Sequence, residues 1–145
     1  VSSLFDSRRK ARESELTLSE SEHQFRTMVN SIPQMAWIAD SKGWIFWFNQ
    51  RWYHYTGTQL FDVEGWGWEK VVHRDHVERV VKGMQHSWVT GEPFEDTFPV
   101  LGKNGEWRWF LTRARPIRDA HGRVVKWFGT NTDINENLIA EAELK

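Results

Sequence analysis

Hydrophobic positions change their spacing several times along the chain, and each change marks an element. In the first thirty or so residues, Leu4, Ala11, Leu18, Phe25 and Ile32 recur every seventh position, with Ser7, Ser14 and Ser21 in parallel. That spacing predicts a polar helix, read either as a marginal coiled-coil seam with weak d positions or as a solvated tether. Its last turns gather Phe25, Met28, Val29 and Ile32 on one apolar face after a capping-box sequence, Ser19-Glu20-Ser21-Glu22, and Pro33 stops it. Met35 to Ala39 then reads as a strand, with a hairpin turn at Asp40-Ser41-Lys42-Gly43. Trp44 to Phe48 is apolar at every position, a pattern expected of a strand covered on both faces: by the core on one side, and by the N-terminal helix or its copy in a partner chain on the other.

Downstream, Asn49 to Thr56 predicts a short helix closed by Gly57, and Gly65-Trp66-Gly67-Trp68 an aromatic turn. Asp75-His76-Val77-Glu78 has capping-box spacing and opens a longer helix with the stripe Val77, Val80, Val81, Met84 and Trp88, ended by Gly91. Phe94 to Leu101 is a strand and Gly102-Lys103-Asn104-Gly105 a turn. The next strand sets Trp107, Trp109 and Leu111 on one face against Phe110 and Ala114 on the other. Asp119-Ala120-His121-Gly122 turns the chain, and Val124 to Phe128 returns as a strand. Asp133-Ile134-Asn135-Glu136 repeats the capping-box spacing, so the last strand should feed directly into a helix.

Hairpin-linked strands around a helical insert fold most simply as an α+β domain, an antiparallel sheet with helices on one face. The expected division is a helical linker over residues 1–19, the domain over 20–133 and an exit helix over 134–145. Strand alternation places Trp37, Ile45, Trp47, Phe98, Phe110 and Trp127 towards a cavity, with Met84 and Trp88 closing one side; a register slip of one residue would exchange every inward and outward assignment. Asp133, Ile134 and Glu136 are the expected coupling residues, with Asp133 as hinge because it ends the strand and caps the helix.

Composition narrows the function classes. The 145 residues carry 19 basic and 20 acidic side chains, a net charge of −1, which offers no field for nucleic acid or an anionic membrane. The absence of cysteine removes disulfides, thiol nucleophiles and thiolate metal sites, and fits a cytoplasmic location. No apolar run is long enough to span a bilayer. Ten tryptophans are more than one small core usually absorbs, so some should line a cavity, cover a second face or meet a partner. Arg108, Arg113 and Arg115 alternate with aromatic residues as single-strand nucleic-acid binders do, but the balanced charge favours a solvated strand edge. Glu92, Glu95 and Asp96 form no facing dyad, and no catalytic triad or phosphate loop appears. His73, Asp75 and His76 are better read as a helix-capping loop than as metal ligands.

Taken together, SESEHQFRTMVNSIPQMAW, the hairpin ADSKGWIFWFNQ, YTG, GWGWEKVVHRDH and the closing GRVVKWFGTNTDINE resemble a PAS domain with its C-terminal PAC motif, over roughly residues 20–137. The Trp-rich version is similar to PAS domains of bacterial sensor histidine kinases, especially the HWE type. The resemblance implies a five-stranded antiparallel sheet flanked by signalling helices, a homodimer formed through the N-terminal helix, and signal transduction to a fused C-terminal kinase or other effector that lies outside these residues. Asn135 stands where Thr is usual, a departure expected to matter little. Some PAS domains hold haem through a histidine on the helix before the third strand, where His76 and His86 lie here, and a flavin could stack on tryptophan; a cysteine-adduct photosensor is excluded by composition. The expected function is therefore a sensory and dimerisation module, with a haem- or flavin-binding sensor and a ligand-free spacer as alternatives, and a small apolar or aromatic ligand left open.

Overall fold

A computed structural model describes residues 2–144. Val1 and Lys145, the outermost residues of the two expected linkers, lie outside the described residues. The chain divides into two compact units, Val1–Ile32 and Pro33–Lys145.

The first unit is one helix, α1 (Ser2–Ser31). It runs unbroken through Ser19-Glu20-Ser21-Glu22, so that sequence is not a helix start. A capping box satisfies amides only where a helix begins, and here the preceding turns already supply carbonyl acceptors.

The second unit is built on the strands β1 (Met35–Asp40), β2 (Ile45–Phe48), β3 (Phe94–Leu101), β4 (Trp107–Arg118) and β5 (Val124–Asp133). They pair antiparallel throughout, in the order β2-β1-β5-β4-β3. Between β2 and β3 lie α2 (Gln50–Thr56), α3 (Leu60–Val63), a 3-10 helix (Gly67–Val71) and α4 (Arg74–Thr90), and α5 (Asn135–Leu144) follows β5. The inner face of the sheet presents Trp37, Phe98, Phe110, Trp127, Ala114 and Val100 to Trp52, Trp68, Val80 and Met84 from the helices, forming one buried cluster. Non-local pairing of this kind buries the apolar side of each strand and leaves the alternate residues outside.

Sequence logic accounts for most helix ends. Asn49 caps α2: its Oδ1 accepts from the amides of Trp52 (3.2 Å) and Ala36 (3.0 Å), and its Nδ2 donates to the Gln34 carbonyl (3.0 Å). One buried side chain thus joins α2 to β1. Gly57 and Gly91 take the left-handed conformation that closes α2 and α4. Gly129 has a different reason: a Cβ there would run into the indole of Trp37, so only glycine lets β5 pass under that ring.

Two local details depart from simple alternation and capping. In WIFWF, Trp44 is 49% and Phe46 40% exposed within the single chain. Ala39 pairs with Ile45 but Ile38 with Trp47, so Phe46 is an extra residue in a β-bulge. The bulge also exchanges the faces of the next two residues. Phe48 joins Ile45 in the core and Trp47 moves to the opposite side, half-buried. In addition, α4 is capped by His73, whose Nδ1 accepts from the Asp75 amide (3.1 Å), rather than by Asp75.

Candidate functional site

Two places in the second unit stand out: the interior between sheet and helices, and the join between β5 and α5.

The interior cavity is lined by Trp37, Ile45, Phe48, Trp52, Met84 and Phe98, together with Thr112 and Asn131. Trp37 Nε1 donates to Asn131 Oδ1 (3.0 Å), fixing both side chains across the sheet. The Thr112 hydroxyl and the Trp52 indole N–H find no hydrogen-bond partner among the described residues. About 10 Å³ is open to the centre of a water-sized sphere, room for roughly one water molecule.

Of the residues expected to face a cavity, Trp37, Ile45, Met84 and Phe98 do line it. Phe110 and Trp127 are buried but sit in solid core beside it. Trp47 leaves the set because of the bulge, and Phe48 takes its place. Trp88 instead stacks edge-on with Trp127 (4.6 Å between centroids) and Trp37 (6.3 Å), away from the cavity wall. Sequence alternation missed Trp52, Trp68, Thr112 and Asn131. Thr112 and Asn131 were legible as inward positions once Phe110 and Trp127 were placed, because residues two apart share a face.

The interior does not fit haem or flavin. No histidine lines it, and the open space is far smaller than a planar macrocycle. His76 packs against Trp109 (5.3 Å between rings), with Arg79 Nη1 2.9 Å from its Nδ1, and His86 Nε2 lies 3.3 Å from Glu92. His73 spends its Nδ1 on the α4 cap, and among the described residues no group of three metal-type ligands gathers.

The β5–α5 join is held by side chains from two strands. Asp133 accepts from Arg108 Nε (2.7 Å) and Nη2 (3.4 Å) and from the Asn135 amide (3.0 Å). Glu136 reaches the same guanidinium at 3.6 Å. The Asn135 side chain accepts from the Trp109 amide (3.1 Å), and the Ile134 amide donates to the Trp109 carbonyl (2.9 Å). The first turn of α5 is therefore an extension of the β4 ladder. This corrects the reciprocal capping box: Asp133 closes a two-residue turn rather than the α5 cap, and Glu136 faces Arg108 rather than the Asp133 amide. The Asn135 amide oxygen satisfies a strand N–H. Arg108 was the missed residue, since its partner is 25 positions away.

Electrostatics around the join are consistent with this geometry. The hydrogen bond that Arg108 donates to Asp133 is the main reason the Arg108 pKa is raised above its ordinary value. Tyr55, whose hydroxyl donates to the Val100 carbonyl (2.8 Å), is pushed up to about 12, first by burial and then by Asp133. Arg113 pairs with Glu95 (2.7 Å) and Arg79 with Asp96 (3.0 Å), so Glu95 and Asp96 serve ion pairs on opposite sides of β3.

The family model for the PAS fold matches residues 45–131. Protein y4lL of Sinorhizobium fredii, uncharacterised, is 31% identical over 127 residues, covering 88% of this chain and 15% of that protein. The peroxide stress-activated histidine kinase mak1 of Schizosaccharomyces pombe is 27% identical over 121 residues, covering 83% of this chain and 7% of that one. Among solved structures, an RNA-binding light-oxygen-voltage receptor superposes with a TM-score of 0.71 at 15% identity, over 85% of this chain and 36% of the other. The chain thus spans a small fraction of the length of the curated relatives it matches. The sheet order, the helical insert and the matched residues together make this chain a member of the PAS fold family.

Proposed function

We propose that this chain is the sensory and dimerisation module of a larger cytoplasmic signalling protein, a two-component histidine kinase, and that it passes its signal through the β5–α5 join. The observation that carries this reading is the tie between Trp109, Asn135, Asp133 and Arg108, which makes the first turn of α5 continuous with β4. A shift of β4 against β5 then changes the seating of the helix, as two-state relays require. The kinase relative supports the class of effector, with the phosphotransfer chemistry outside these residues.

The tightly filled interior favours a relay that responds to strain or to a very small polar molecule over a cofactor-loaded sensor. The domain proper is proposed to run over residues 20–133, between a helical linker and an exit helix. In α1, Leu4, Ala11, Leu18 and Phe25 are exposed at seven-residue intervals, and Met28 beside them is 60% exposed. Val29 is buried and Ile32 half-buried. That exposed apolar row supports the helix of a second copy as its cover.

The test is a fusion of the chain to a histidine kinase core in the α5 register. Asp133→Ala and Arg108→Met should alter autophosphorylation while the sheet remains folded by circular dichroism. Wild-type output from both variants, with α5 demonstrably loosened, would end the proposal.

A further inference from the structure

We infer that the chain carries a second, surface ligand site, a cleft between α2 and the β3–β4 turn that takes the phosphate group of a small phosphorylated molecule. Its walls are Arg51, His54 and Tyr55 from α2 and Lys103 and Asn104 from the turn, enclosing about 240 Å³. No acidic side chain lines it. Elsewhere in this unit Arg79, Arg108, Arg113 and Arg123 each rest on a carboxylate. The side chains of Arg51, His54 and Lys103, by contrast, make no hydrogen bond or ion pair among the described residues. With a net charge of −1, the protein as a whole does not attract anions, so affinity here must be local.

The cleft is built rather than incidental. The Lys103 amide donates to the Tyr55 carbonyl (2.8 Å), clamping the turn to α2. A Cβ on Gly57 would press on the Lys103 side chain at 2.7 Å, so the two walls meet closely just beyond α2. The Tyr55 ring packs edge-on against Phe110 (5.0 Å) and its hydroxyl is tied to Val100, which fixes the floor on the core. A guanidinium fork, an ammonium, an imidazole and a carboxamide together offer more donors and more positive charge than one carboxylate uses, and they match the three oxygens of a phosphate dianion. The volume, below the usual range for drug-sized ligands, suits a compact ester rather than a nucleotide. Glu106, beyond the turn, lies within electrostatic reach of the Tyr55 hydroxyl and places one negative charge near the cleft.

The experiment is an amide NMR titration of the full chain with inorganic phosphate, and in parallel with glycerol phosphate, at ionic strength held constant with chloride. The expected result is saturable shifts confined to residues 51–55 and 102–105, with glycerol phosphate binding at least as tightly as phosphate. Arg51→Gln should weaken binding about tenfold, the loss of one charge-assisted contact, and Arg51→Gln with Lys103→Gln should abolish it. Arg115→Gln removes an exposed arginine elsewhere and should change nothing. Shifts scattered over the surface, equal binding by the double variant, or equal loss in Arg115→Gln would each overturn the assignment. Because the readout is binding, it stands or falls independently of any kinase output.

Discussion

Replacing Asp133 separates the forces that hold the exit helix. Its carboxylate makes a charged pair with Arg108, in which the two side chains are 31% and 39% exposed, and accepts one backbone amide from Asn135. Discounted for solvent screening, the pair is worth about 0.5–1 kcal/mol, and the amide bond about 1 kcal/mol. Asp133→Ala should therefore weaken the docking of α5 by roughly 1.5–2 kcal/mol, the sum of those two contributions. Asp133→Asn keeps an oxygen for the Asn135 amide but loses the charge, so it should cost only the first part, and 1 M salt should shrink that part. The assay is native-state hydrogen exchange at the Ile134 and Leu138 amides, bonded to Trp109 and to Ile134. Protection should fall about 10- to 30-fold in Asp133→Ala, the fold-change those energies imply. A double-mutant cycle with Arg108→Met, which preserves the aliphatic stem, should return a coupling of about 0.5–1 kcal/mol. Unchanged exchange at Ile134, or a coupling near zero, would show that the join is not held as described.

Gly129→Ala should lower stability by about 1–3 kcal/mol through collision with the Trp37 ring, read as a fall in denaturant midpoint. Gly105→Ala meets no neighbour within 4 Å and should cost only its left-handed backbone strain, about 1 kcal/mol. Thr112→Val removes a buried hydroxyl that has no partner among the described residues and should be neutral or stabilising; a loss above about 1 kcal/mol would mean that the hydroxyl is hydrogen-bonded in solution. Both tyrosines should ionise late in an absorbance titration at 295 nm, Tyr55 near 12 against an ordinary 10.0, and earlier in urea. Because the folded value is raised, the stability Tyr55 contributes is complete below pH 10.0 and is lost as pH rises towards about 12. Tyr55→Phe should flatten the alkaline decline, and an unchanged decline would place the cause elsewhere.

Local chemistry in the chain was enough to determine the antiparallel α+β class, the hairpin turns, the α2 and α4 helices with their glycine stops, and the inward set Trp37, Phe98, Phe110 and Trp127. Those features depend on neighbours two to four residues apart, so spacing alone reveals them. The tertiary structure decided the features that depend on residues distant in sequence. Pairing with β1 inserted Phe46 as a bulge and exchanged Trp47 for Phe48. The meeting of β4 with the end of β5 brought Arg108 to Asp133 and Asn135 to Trp109, turning an apparent capping box into a cross-strand tie. The clamp between α2 and the β3–β4 turn set Arg51 and His54 opposite Lys103. A one-residue bulge or a contact across fifty positions leaves no periodic trace in the chain, because its energy appears only when the partner strand is in place.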